Sequence, residues 1–140
     1  MRFWDASAVV PLLLEQPATA RSRALLDEDP EVVIWWTTPV ECASALARLR
    51  REGLLTEADE KLATSRLEAL QARWYEMLPG DTVRAQAFRV LRLHPLRAAD
   101  ALQLAAAIEW AGGPAAGTLV TFDDRLASAA AREGFAVLTL

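Results

Sequence analysis

The sequence holds a single cysteine, Cys42, a single histidine, His94, and a single lysine, Lys61. One cysteine excludes an internal disulfide and any cysteine-based metal cluster. One histidine excludes a multi-histidine metal site. Carboxylates are then the only plentiful metal ligands, and hard oxygen donors favour Mg²⁺ or Mn²⁺ over Zn²⁺. No apolar run reaches the length of a membrane span, so no membrane partner is expected. The chain starts Met1-Arg-Phe-Trp-Asp5 without a signal-peptide pattern, which predicts a cytoplasmic protein. No internal repeat, low-complexity tract or linker divides it.

What is present is enough for one domain, residues 1–140, with 53% apolar residues to build one substantial core. The net charge of −4 argues against coating nucleic acid through the overall field, and leaves a local basic surface open. Of the 15 basic residues all but Lys61 are arginine, the side chain suited to bidentate phosphate contacts. A compositional preference of the source genome explains the same bias. Arg48, Arg50 and Arg51 read as a solvated helix face, or as a contact to RNA or an acidic partner.

Hydrophobic runs and turn residues set the expected order of elements. A strand over 2–5 ends at Asp5, and Ser7 caps a helix over 8–15 that contains Pro11. A helix over 18–27, with Leu25 and Leu26 inward, leads to a turn over 27–30. The strand 31–36 carries Trp35 and Trp36, both expected to be buried in a sheet covered on two faces. Thr37 or Thr38 caps the next helix, with Pro39 at its first position, and the helix stops at Gly53. Glu41, three residues after Thr38, matches a capping box. Thr56 starts a helix with Leu62, Leu67 and Leu70 inward, and 74–78 reads as a short strand. Asp81 caps a helix through Leu93 with Val83, Ala87, Val90 and Leu91 inward. His94, before Pro95, reads as a loop residue and Cys42 as a small buried filler.

The stretch from His94 to Ala107 then opens a helix rich in Ala and Leu, ending at Gly112-Gly113-Pro114. Asp100 lies in its first turn, flanked by Ala98, Ala99 and Ala101, so little bulk covers it. A strand over 117–121, a helix ending at Gly134 and a strand over 135–138 complete the chain. Strands alternating with helices predict an α/β layer fold with a parallel sheet.

In such a sheet the strand C-termini and the following helix N-termini share one edge, where ligands bind. Asp5 ends a strand, Glu41 and Asp100 begin helices, and Asp123 follows a strand and begins a helix. Each acid has a capping role open to it. Together, four carboxylates on one rim repel unless protons or a hard cation neutralise them. A divalent cation there activates water and stabilises charge on a phosphoryl oxygen. Ser7, Arg97, Thr121 and Arg125 adjoin the acids as candidates to hold phosphate or orient water. Local hydrogen bonding is the competing role for Ser7 and Thr121.

Asp5-Ala-Ser7 after a first strand, Glu41 opening a helix, Leu96-Arg-Ala-Ala-Asp-Ala-Leu-Gln-Leu-Ala105, and Thr121-Phe-Asp123 before Arg125-Leu126 together resemble the PIN-domain pattern. Length and order resemble the VapC-type toxins of bacterial and archaeal toxin–antitoxin pairs, over the entire chain. The resemblance implies a three-layer α/β/α sandwich with a central, mostly parallel sheet. It implies a Mg²⁺- or Mn²⁺-dependent endoribonuclease that attacks RNA phosphodiester bonds with metal-activated water. Metal ligation would run chiefly through Asp5 and Asp100, with Glu41 and Asp123 completing the catalytic set. A homodimer and a small antitoxin that blocks the site are further implications. The family pattern puts the fourth acid at Asp123, which makes Asp124 a helix-cap neighbour.

Other acid-rich α/β folds fit less well. A receiver-type domain needs a lysine after a late strand, and Lys61 lies mid-helix. A dehalogenase-type phosphatase needs Asp-x-Asp at the first strand end, where this chain has Asp-x-Ser. The alternative from another class is a non-catalytic PIN-like module that binds RNA or protein, and such a module has no need of a complete acidic set.

Overall fold

The computed structural model describes residues 1–113 and 117–140, which form five strands and seven helices. The first half runs β1 (Arg2–Trp4), α1 (Ala6–Leu13), α2 (Thr19–Glu28), β2 (Val32–Trp35), α3 (Thr38–Arg51), α4 (Glu57–Gln71) and β3 (Tyr75–Met77). The second half runs α5 (Asp81–Leu93), α6 (Ala98–Ala111), β4 (Thr118–Val120), α7 (Asp124–Arg132) and β5 (Ala136–Leu138). Every strand pairing is parallel, and the spatial order is β3-β2-β1-β4-β5. From β1 the chain builds outward through β2 and β3, then returns to β1's other side with β4 and β5. The order therefore reverses between β1 and β4. Such a reversal opens a crevice beyond the strand C-termini, because the connections on either side leave in opposite directions.

Side chains alternate across a strand, so each strand feeds two cores. Phe3, Val33, Trp35 and Leu119 pack on one face with buried residues of α5, α6 and α7. Trp4, Val32, Ile34 and Val120 pack on the other with residues of α1, α2, α3 and α4. All four residues of β2 are buried, a pattern permitted only where helices cover both faces. This is the α/β/α sandwich with a central parallel sheet that the family resemblance implies. Cys42 is fully buried in the second core, as expected of a small filler. Among the described residues no helix is long and apolar enough to cross a membrane.

Several local expectations change. Asp5, not Ser7, caps α1, because the helix already begins at Ala6. Trp36 is 52% exposed, since β2 ends one residue earlier and the alternation ends with it. Leu62 is 52% exposed and Leu91 is 40% exposed. Ala63 and Leu67 are the buried residues of α4, and Val83, Ala87 and Val90 those of α5. Leu91 lies about 100° of helix from Val90 and about 40° from Ala87, at the margin of that stripe. The turn expected at Asp27 is absorbed by α2, which continues to Glu28. Gly80 occupies the cap position of α5, and Asp81 is its first helical residue. α6 stops on Gly112, whose φ of 73° suits glycine. The expected stop signal also included Pro114, which lies outside the described residues.

Candidate functional site

The site begins with how β1 hands the chain to α1. Asp5 follows the last strand residue, and its N–H still donates to Val120 O at 3.0 Å. Its extended backbone makes it the N-cap of α1, and its Oδ2 accepts from Ser7 N at 3.1 Å. The same oxygen accepts from Ser7 Oγ, and from Thr121 Oγ1 at 3.0 Å. A hydroxyl has one proton to give, so both hydroxyls are committed to Asp5. The 3.2 Å separation between Ser7 Oγ and Thr121 Oγ1 is then simple proximity. As acceptors, Ser7 Oγ takes Phe122 N at 2.8 Å and Thr121 Oγ1 takes Asp123 N at 3.1 Å. Ser7 and Thr121 thus brace Asp5 and the segment after β4. The bonds from Ser7 and Thr121 all fall on Asp5 Oδ2.

Asp123 caps α7, with Oδ1 accepting from Leu126 N at 2.8 Å. Asp124 is the exposed first residue of that helix. Asp100 is the third residue of α6 and half-buried. Glu41 lies in the first turn of α3, but the expected capping box is absent. Thr37 precedes the helix with helical backbone angles and makes no side-chain cap. Glu41 Oε1 accepts instead from Thr37 Oγ1 at 2.7 Å and from Gln103 Nε2 at 3.1 Å.

These four acids line one cavity of about 320 Å³, together with Ser7, Gln16 and Arg48. It sits at the C-terminal edge of the sheet, at the β1/β4 reversal. Burial pushes the Asp5 carboxyl above the usual carboxylate range, against its hydrogen bonds from Ser7 and Thr121. Burial does the same to Glu41, with added repulsion from Asp5 and Asp100. Asp100 is raised by burial and then by Asp123 and Asp5, while Arg97 and Arg125 pull it back. Even the Cys42 thiol on the buried face of α3 is pushed up to about 12, by burial first and then by Asp5 and Glu41. The cavity is a place where negative charge is unwelcome without a counter-ion.

The donor set fits a hard divalent cation by its chemistry, since it offers carboxylate oxygens held at raised pKa. Among the described residues, however, no three acidic, His or Cys side chains close around a single point. The acids are gathered at a cavity wall rather than drawn into one cluster.

Of the residues adjoining the acids, Arg97 and Arg125 are exposed and act on Asp100 through their charge. Arg48, from the Arg48/Arg50/Arg51 group, reaches the cavity itself. Arg50 instead pairs with Glu60 at 3.2 Å. His94 lies in the loop between α5 and α6, as expected, but it is buried there, with Nε2 2.7 Å from Glu133 Oε1. Glu133 also accepts from Arg89, so the α5–α6 corner is pinned to the end of α7. Thr37 and Gln103 were not singled out as site residues by sequence reasoning, and Arg48 only as one of three arginines open to contact with RNA or an acidic partner. A signal for Gln103 existed: a lone amide in an apolar helix, three residues after Asp100 and hence on its face.

The arrangement matches a known domain. Residues 2–132 match the family model described as PIN domain. The chain belongs to the PIN-domain family. Among solved structures, FitAcB from Neisseria gonorrhoeae is 23% identical with a TM-score of 0.69, covering 99% of this chain and 96% of that one. VapC20 of Mycobacterium tuberculosis, described as a sarcin–ricin loop cleaving toxin, is 16% identical with a TM-score of 0.70, covering 92% of this chain and 95% of that one. VapBC2 from Rickettsia felis, bound to a DNA fragment from its promoter, is 12% identical with a TM-score of 0.67, covering 99% and 98%. At these identities the likeness speaks to the PIN fold. Among curated proteins none matches the sequence.

Proposed function

We propose that this PIN-domain chain is the ribonuclease toxin of a toxin–antitoxin pair, hydrolysing RNA phosphodiester bonds with Mg²⁺ or Mn²⁺ at the Asp5, Glu41, Asp100 and Asp123 cavity. The observation that carries the reading is the meeting of four carboxylates from four chain segments in one cavity, three of them held above their usual pKa. A bound divalent cation supplies charge neutralisation at the phosphoryl group and activation of a water nucleophile. Asp5, Glu41, Asp100 and Asp123 would hold it. Asp5 and Glu41 each have one oxygen engaged by protein donors, which fixes the direction in which the other is offered. Arg48 on the cavity wall, with Arg97 and Arg125 near Asp100, supplies cationic groups for the flanking phosphates.

The solved neighbours include toxin–antitoxin complexes and a sarcin–ricin loop cleaving toxin, which supports the choice of a nuclease toxin with a protein antitoxin. An acidic cavity suits an inhibitor that inserts an arginine or lysine in competition with the cation. We further propose a symmetric homodimer, because Phe88 and Leu91 leave an exposed apolar face on α5. A second reading, a non-catalytic PIN-like module, draws on the lack of three converging ligands among the described residues.

Asp100→Asn separates the two. If Asp100 only favours the start of α6, asparagine serves nearly as well and stability changes by about 1 kcal/mol or less. If it holds the cation, RNA cleavage collapses while the fold survives, and Mg²⁺ raises the melting temperature of the wild type far more than that of the variant. A variant that keeps full cleavage and the full Mg²⁺ shift refutes the metal-ligand role.

A further inference from the structure

The buried residues of α6 are apolar with one exception, Gln103, which is fully buried. A buried amide costs free energy unless its hydrogen bonds are made. Among the described residues its hydrogen-bond partners are all on α3. Its Nε2 donates to Thr38 Oγ1 at 3.0 Å and to Glu41 Oε1 at 3.1 Å, and Thr38 Oγ1 donates back to its Oε1 at 3.4 Å. Thr38 is itself fully buried. A leucine or methionine would fill the same volume without an amide to satisfy. The amide thus ties the helix that carries Asp100 to the helix that carries Glu41.

The bonds to Glu41 fall on one oxygen only. Thr37 Oγ1 and Gln103 Nε2 both donate to Oε1, and Oε2 has no protein donor among the described residues. Glutamate has three side-chain torsions and swings freely unless it is held. We propose that Gln103 is a positioning residue: with Thr37 it fixes the Glu41 side chain so that Oε2 is presented to the divalent cation in the cavity. This rests on the metal-dependent reading above. It adds that the site's geometry depends on a neutral amide that touches neither cation nor RNA.

The test is a double-mutant cycle on metal affinity, read by calorimetric titration of the full chain with MnCl₂ alone. Wild type, Gln103→Met, Glu41→Ala and the double variant are compared. Outer-shell partners of metal ligands are worth about 10- to 100-fold in affinity, so Gln103→Met should weaken Mn²⁺ by at least the lower figure. In the Glu41→Ala background the same substitution should change affinity by less than about twofold, the scatter of independent sites. A merely structural role would lower the melting temperature equally in both backgrounds and leave the two effects on affinity additive. Additive effects, or a Gln103→Met chain that binds Mn²⁺ as the wild type does, overturn the inference. A wild type that fails to bind Mn²⁺ overturns the metal reading and the inference together, and is recognised from that arm alone. Should Gln103→Met fail to fold, Thr37→Val runs the same cycle, because Thr37 makes no helix-cap bond and loses only its contact to Glu41. Additivity there also refutes the proposal.

Discussion

Asp5 allows the opposing contributions of one carboxylate to be separated by two substitutions. Asp5→Ala removes the N-cap of α1, a loss of about 1 kcal/mol. It also strips the acceptor from the Ser7 and Thr121 hydroxyls. Those two oxygens stand 3.2 Å apart, so one hydroxyl can turn and donate to the other. Thr121 can give its proton to Ser7 Oγ, and Ser7, half-exposed on the cavity wall, can give its own to water, so the further loss is that of a hydrogen bond, about 0.5–1.5 kcal/mol. The expected destabilisation is therefore about 1.5–2.5 kcal/mol where Asp5 is protonated in the folded protein. Asp5→Asn keeps both the cap and the acceptor oxygen, and should cost a few tenths of a kcal/mol under the same conditions.

The pH dependence follows from the direction of the shift. The folded Asp5 carboxyl lies above its ordinary value of 3.8. Its stabilising contribution is present below that value and is lost as pH rises through the folded value. Without divalent cation, the wild type should therefore lose ground to both variants as pH rises from about 4 to about 7. Asp5→Asn should become as stable as the wild type or more so, and the Asp5→Ala penalty should shrink. Urea denaturation in the presence of a chelator, at both pH values, measures each difference. Adding Mg²⁺ at the higher pH should restore the advantage of the wild type. An Asp5→Asn chain as unstable as Asp5→Ala, or a penalty that grows with pH, would refute the account of a braced carboxylate in a charge-averse cavity.

Glu133→Gln should destabilise the fold by about 1–3 kcal/mol, less than a fully buried pair because the Arg89 side chain is 36% exposed. Hydrogen bonds from Arg89 and His94 overcome burial and hold the Glu133 carboxyl below its ordinary value of 4.5. The difference from wild type should therefore be full above that value and vanish as pH falls through the folded value; constancy down to acid pH in thermal melts would contradict it. The homodimer should appear in sedimentation at micromolar concentration, and Phe88→Glu should shift it to monomer. A monomeric wild type removes that part of the proposal.

The convergence of the acids was legible before any strand order was known. In a parallel sheet all strand C-termini lie on one edge whatever their lateral order, so Asp5 and Asp123 were bound to share a rim. Glu41 was found for the right reason of position and the wrong reason of contact. The capping box assumed that Thr38 stands outside the helix, whereas the helix begins at Thr38 and Thr37 adopts helical angles. That single shift frees the carboxylate from the backbone and turns it to Thr37 and Gln103. Contacts spanning many residues left no trace of the partner, even where the residue itself stood out: Gln103 lies 62 residues from Glu41, and His94 lies 39 from Glu133. Periodicity registers which face of a helix is apolar, not which polar group waits across the gap.

Asp100 marks the limit of the strand-edge argument. It begins a helix, but no strand precedes that helix: α6 follows α5, and the pair returns from β3 along one face of the sheet. What places its start at the strand C-termini is the strand that comes next: β4 is parallel to its neighbours, so the helix feeding it ends at the strand N-termini and begins toward the opposite edge. The corner between the two helices sets where on that edge it begins. His94 at the end of α5 is fixed by Glu133, and Leu96 N donates to His94 O at 2.8 Å, so the chain turns tightly into α6. The run of small residues on α6, Ala101 and Ala105 to Ala107, then lets the helix pack closely into the core formed with Phe3 and Leu119. Asp100 is at the cavity because the corner starts the helix there and the alanines let it approach. The sequence pattern around Asp100 signalled an acid at the start of a buried helix; the corner held by His94 and Glu133 is where that helix begins.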